Sequence, residues 1–239
     1  MRVGLTLPQF RHDADSCLRT AAQAEAAGLD GVFVFDHLWP LGRPDRPALH
    51  GPTLAGALLA RTARVTVGTL VARVGILPDA VLVNQLTTLH RMADGRLVAG
   101  VGVGDAMSRP ENLAVGVPFR PREDRLASLV DVCRRLGERG VTTWVGGNSA
   151  TMRSVARAEA DAANLWGVGP AAVGEARRAG GPVTWAGQVD VGAVGADGLA
   201  TLLRALALEG AAWAIVAPVD TPWPEAVETV GTAARSLVD

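Results

Sequence analysis

Asp36-His37 places a carboxylate beside an imidazole, a pair suited to moving a proton near neutral pH, because the carboxylate can orient the ring or raise its pKa. Asp105 supplies a second carboxylate. Gly146-Gly147-Asn148-Ser149 has another chemistry: a tight turn opens a helical stretch containing Met152 and Val155, so backbone N–H groups and the helix dipole converge on an anion site, with phosphate the natural guest. Trp166-Gly167-Val168-Gly169 repeats the arrangement one strand later. Gly100, Gly102 and Gly104 resemble a dinucleotide-binding spacing, but Met107 stands where the third glycine belongs. Small residues there let a strand end approach a flat ring closely. Each feature also has a plainer reading: a loop histidine with a local hydrogen bond, a capped turn, a solvated carboxylate. His12, His50 and His90 have no surroundings that mark them for chemistry.

These residues need a frame. Strand-like runs occur at about residues 3–7, 31–35, 65–71, 97–103, 142–146, 163–166, 183–189 and 212–217. Helical periodicity follows each, at roughly 14–27, 51–62, 78–93, 122–138, 149–160, 170–179, 196–208 and 224–236. Runs such as Gly31-Val32-Phe33-Val34-Phe35 and Ala214-Ile215-Val216-Ala217 are apolar at every position, as parallel strands covered on both faces require. Gly28, Gly95, Gly180-Gly181 and Gly210 stand where helices end. Eight strand-helix units predict a single (β/α)8 TIM barrel over 1–239, with an open doubly wound sheet as the alternative. In such a barrel the strand-to-helix loops form the active face, and every segment named above follows a strand.

Composition narrows the partners. The 239 residues suit one closed barrel, and no run approaches the eighteen or so apolar residues expected of a membrane helix. Twenty-three basic residues against 24 acidic ones leave a net charge of −1, so no long-range field attracts nucleic acid or a membrane surface. The start, Met1-Arg2-Val3-Gly4-Leu5, lacks the features of a secretory signal, which predicts a cytoplasmic protein. Cys17 and Cys133 lie on separate helical stretches without metal or redox spacing and read as reduced packing residues.

The ordered set of segments resembles the luciferase-like monooxygenase family, and within it the branch that uses the deazaflavin coenzyme F420. The likeness runs through Gly28 to His37, Arg64 to Val71, Thr88-Leu89 and Gly95 to Gly104, and returns at Trp144-Val145-Gly146-Gly147 and Asn164-Leu165-Trp166-Gly167. The resemblance implies an oxidoreductase that transfers a hydride between F420 and a small organic substrate, with His37 handling a proton. It places a non-prolyl cis peptide at Leu70-Val71 against the back of the ring, an acidic group at Asp105, and cofactor contacts at Gly102, Gly104, Gly146, Gly147, Asn148, Trp166 and Gly167. The Trp166 segment would support the phosphate or the ribityl chain. No metal is implied.

The chain also departs from the family. The helical stretch 122–138 reaches the next strand through little more than Arg139-Gly140-Val141, where relatives carry a long insertion over the substrate, so a shallower pocket is expected. With no tyrosine and four phenylalanines, an aromatic wall should come from tryptophans such as Trp39, Trp166 or Trp185. An FMN-dependent monooxygenase, a non-catalytic F420 or flavin carrier, and a barrel binding another phosphorylated metabolite remain open, as does a homodimer.

Overall fold

The computed structural model describes residues 1–237 and closes eight parallel strands into one barrel, each strand hydrogen-bonded to its sequence neighbours and β8 to β1. The strands are β1 (Arg2–Thr6), β2 (Gly31–Val34), β3 (Thr66–Arg73), β4 (Leu97–Gly102), β5 (Thr143–Gly146), β6 (Ala162–Trp166), β7 (Val183–Val189) and β8 (Ala211–Pro218). The helices are α1 (Asp15–Ala26), α2 (Gly51–Arg61), α3 (Asp79–Met92), α4 (Arg109–Ala114), α5 (Arg122–Gly137), α6 (Ala150–Glu159), α7 (Pro170–Arg178), α8 (Val191–Leu208) and α9 (Trp223–Arg235).

Alternation along the strands builds two cores. Val32 and Val34 belong to the layer between barrel and helices, while Phe33 belongs to the barrel interior with Leu70, Val98, Trp144, Trp213 and Ile215. Phe33 stacks on Trp144 at 5.6 Å between centroids and meets Trp213 edge-on at 5.7 Å. Its ring occupies space that strand glycines leave free: a Cβ on Gly4 would lie 2.8 Å from it, and one on Gly68 would also collide with it. At the opposite end from the expected active face, Asp30 and Asp161 accept hydrogen bonds from the backbone N–H groups of Val3 and Thr143, both at 2.7 Å. Cys17 and Cys133 are free and buried, and burial pushes their thiols up to about 11 and about 12, so neither is a nucleophile near neutral pH.

Strand and helix limits follow the sequence expectation within two residues, with two exceptions. The first is α4, preceded by a 3₁₀ turn at Ala106–Ser108, in a stretch where the sequence periodicity predicts no helix. Six residues are too few to display a period, although Pro110 and Glu111 in its first turn are start signals. The second is α8, which begins at Val191 and not at 196. Gly195, with φ 64°, interrupts it as a kink between two helical parts. With a mean hydropathy of 1.5, α8 is also long and apolar enough by composition to cross a membrane, contrary to the expectation that no run is. The break at Gly195 and the burial of Val191, Leu199, Leu203 and Leu206 make it an outer-ring helix of the barrel. The link from α5 to β5 is as short as the sequence indicates, residues 138–142.

Because Phe33 fills the barrel interior between two indoles and the backbones of glycine-bearing strands, Phe33→Ala would leave a void that the closed sheet cannot collapse to fill, and should cost about 3–5 kcal/mol of stability. Urea denaturation measures it, and a loss under about 1 kcal/mol would mean the interior closes without the ring.

Candidate active site at the C-terminal face

The strand ends open into a cavity of about 920 Å³, lined by His37, Leu70, Val71, Gly102, Gly104, Asp105, Gly146, Gly147, Asn148 and Trp166 among others. Ten of the twelve residues expected from the sequence thus share one wall system; Asp36 and Gly167 are not part of the lining.

His37 follows β2, and its Nδ1 lies 3.1 Å and 3.2 Å from the two carboxylate oxygens of Glu111 on α4. Glu111 has no solvent exposure. Its compensating charge is Arg73 at the end of β3, whose Nη2 approaches Oε2 to 2.6 Å. This is a close, buried ion pair. Arg73 is fixed elsewhere: Nε donates to Asp36 O at 3.0 Å and Nη1 to Ser108 O at 3.3 Å.

Asp36 therefore does not orient His37. Its carboxylate, itself buried, accepts the backbone N–H of Arg73 at 2.9 Å, so Asp36 ties β2 to β3 while the adjacent imidazole turns to α4. Adjacency in sequence does not fix where consecutive side chains go. Asp105 lines the cavity but also caps the 3₁₀ turn, accepting from Ser108 N at 3.1 Å. Gly104 takes φ +67° to start that turn.

The peptide between Leu70 and Val71 is cis, as the resemblance implies, and the β3–β4 register shifts between Thr69 and Ala72. The glycines opposite serve this bulge. A Cβ on Gly102 would stand 2.6 Å from Val71 Cγ2, and one on Gly146 2.7 Å from Cγ1. Gly102 and Gly146 thus make a seat for Val71, and half-buried Val71 presents the wall to the cavity.

In the anion turn, Gly147 has φ +138° and donates its N–H to Asn164 O at 3.0 Å. A Cβ at 147 would meet Met152 Cγ at 2.9 Å. Ser149 caps Met152 N at 3.3 Å, and the amides of Asn148, Ser149, Ala150 and Thr151 donate to no backbone acceptor among the described residues. Asn148 bridges strand ends, donating to Trp166 O at 2.8 Å and accepting from Trp166 N at 2.9 Å. Gly167 closes its turn at φ +65°.

The aromatic wall differs from expectation. Phe10 stacks on Phe35 at 5.9 Å, and Trp166 meets Phe35 edge-on at 5.8 Å. Trp185 is buried and donates to Val168 O, a packing role, and Trp39 is not in the lining. Gln9, fully buried, clamps the His37 loop by donating to Phe35 O and Leu49 O, both at 2.6 Å, and accepting from Phe35 N. Glu111, Gln9 and the two phenylalanines are not evident from the sequence, apart from the Pro110 helix start beside Glu111; Arg73 ends a strand segment that the sequence places on the active face, but nothing in the sequence marks its ion pair.

A closed parallel barrel with an imidazole–carboxylate pair and a glycine turn around one cavity at its strand ends is a TIM barrel whose C-terminal face carries the candidate site. More particularly, the chain belongs to the luciferase-like monooxygenase family, whose model matches residues 1–200. It is 35% identical over 115 residues to an F420-dependent glucose-6-phosphate dehydrogenase of Kineococcus radiotolerans, a match covering 48% of this chain and 33% of that protein. The match thus spans a third of that relative's length. Its fold is shared with an F420-dependent secondary alcohol dehydrogenase solved with an F420-acetone adduct, at TM-score 0.84 and 14% identity, covering 100% of this chain and 99% of that one. It is shared too with riboflavin lyase solved with modified FMN and riboflavin, at TM-score 0.81 and 13% identity, covering 100% and 91%.

Removing the countercharge of Glu111 should be costly: Arg73→Met is expected to lose about 3–5 kcal/mol, and Arg73→Met/Glu111→Leu to regain most of it. Paired urea midpoints decide this, and an unchanged midpoint in Arg73→Met would show that the ion pair does not hold the site together.

Proposed function

We propose that the protein is an oxidoreductase transferring a hydride between coenzyme F420 and a small organic substrate, with His37 handling the proton that accompanies it. One juxtaposition carries the reading: the Val71 wall on its glycine seat faces the same cavity as the His37–Glu111 pair. The residues present fit such a cofactor. A cavity of about 920 Å³ is of the size ligands of this scale occupy, roughly 300–1,000 Å³. Leu70 and Val71 would bound the ring, and the Asn148 and Ser149 amides at the cavity wall, next to those of Ala150 and Thr151, would hold the phosphate.

F420, when bound, supplies a hydride-carrying carbon, C5 of its deazaflavin ring. The chain supplies the rest. His37 accepts or returns a proton at the ring nitrogen not facing Glu111, while Phe10, Phe35 and Trp166 give the cavity an aromatic wall. The choice of F420 draws on the name of the Kineococcus radiotolerans relative. Since the match spans a third of that relative, its sugar phosphate is not carried over as substrate. A second reading, an FMN-dependent monooxygenase, is favoured by the family description and the fold shared with riboflavin lyase.

Fluorescence titration should show tighter binding of F420 than of FMN; micromolar FMN binding without detectable F420 binding would select the second reading. With alcohols, enones and imines as the substrate panel, His37→Ala should lower turnover by about 100-fold while changing F420 affinity little. F420 binding with no turnover across the panel would instead identify a carrier.

A further inference from the structure

We propose that Glu111 is a positioning residue that fixes the tautomer of His37, holding its proton on Nδ1 so that Nε2 is the atom that exchanges protons with the substrate. The proposal rests on the reading of His37 as the proton-handling group.

An ionised carboxylate accepts hydrogen bonds and donates none. Both oxygens of Glu111 lie within 3.2 Å of His37 Nδ1, so a neutral imidazole satisfied there carries its hydrogen on Nδ1. Its Nε2 then keeps the lone pair. The carboxylate can serve two partners at once, since its two oxygens carry about four acceptor lone pairs. Arg73, 2.6 Å from Oε2 and also bonded to Asp36 O and Ser108 O, balances the charge of Glu111 and leaves acceptor capacity for His37.

Two other carboxylates of the neighbourhood are engaged elsewhere. Asp36 accepts from Arg73 N, and Asp105 from Ser108 N. The segment bearing Glu111 is itself anchored: Asn112 Nδ2 donates to Gly75 O at 2.7 Å, and Arg125 holds the carbonyls of Val103 and Gly104. A buried, anchored carboxylate facing one nitrogen of a ring whose residue lines the cavity is the arrangement that selects a tautomer.

The proton step balances on these atoms. Taking a proton from a substrate hydroxyl breaks its O–H bond and forms Nε2–H. The electron pair of the O–H bond stays on the substrate oxygen, and the imidazolium keeps its Nδ1–H on Glu111. The reverse step returns the Nε2 proton.

The test does not depend on activity. Ring ¹⁵N chemical shifts of the ligand-free wild type, recorded where histidine is neutral and assigned by the signals lost in His37→Gln, should show a protonated Nδ1 and a bare Nε2. A His37 found mainly as the Nε2–H tautomer overturns the proposal, whatever any variant does. Glu111→Gln, whose amide can donate or accept, should give mixed tautomers and lower kcat by about 100-fold or more with little change in F420 affinity. A kcat unchanged in a folded Glu111→Gln protein also overturns it. An Nδ1–H tautomer in a protein that binds no F420 supports the positioning role and overturns only the cofactor reading.

Discussion

A carboxylate without solvent contact at the mouth of a barrel must be answered by charge and hydrogen bonds, because burying it unpaired is costly. Glu111 is that carboxylate, and the active face is arranged around its needs. Arg73 brings the permanent charge, His37 brings the donor, and each is in turn fixed by a neighbour. Arg73 draws in Asp36 from the β2 end and Ser108 from the turn after β4. Three strand ends are thereby locked by one buried ion pair. Removing any one partner leaves a charge or a carbonyl stranded, so the group behaves as a unit.

Arg73 reaches this position because β3 shifts its pairing with β4 between Thr69 and Ala72, which brings Arg73 opposite Gly102. The same shift turns Val71 toward β4 and β5, where only glycines leave room for it. The apolar wall of the cavity and its buried charge are thus two consequences of one bulge. A side chain at Gly102 or Gly146 would strike Val71 before it could approach any ligand. These glycines act on the ligand through the valine, a different route from the direct ring approach that their small size suggests.

The α5–β5 link is short, and the long excursions at this face are the β2–α2 loop, which bears His37, and the stretch between β4 and α5 that contains the 3₁₀ turn and α4. That stretch delivers Glu111, caps its own turn through Asp105, and is pinned by Arg125 and Asn112. On the far side, Asn148 joins the ends of β5 and β6, and Gln9 joins β1 to the loop bearing His37. The cavity is framed by side chain-to-backbone hydrogen bonds between neighbouring strand ends.

Sequence alone determined the barrel, because eight apolar runs and the eight amphipathic stretches that follow them leave one economical way to cover every strand on both faces. It located His37 and the glycine turn for the same reason: each follows a strand, and strand ends converge in a barrel; the Leu70-Val71 bulge came from the family resemblance and not from the pattern of residues. It could not show that Asp36 turns from His37, since a one-residue step along a loop carries no direction. Nor could it pair His37 with Glu111, 74 positions away on a helix too short to display a period. Which atoms meet across a barrel mouth is decided by loop paths and by the demand that buried charges be matched, and both exist only once the chain has closed.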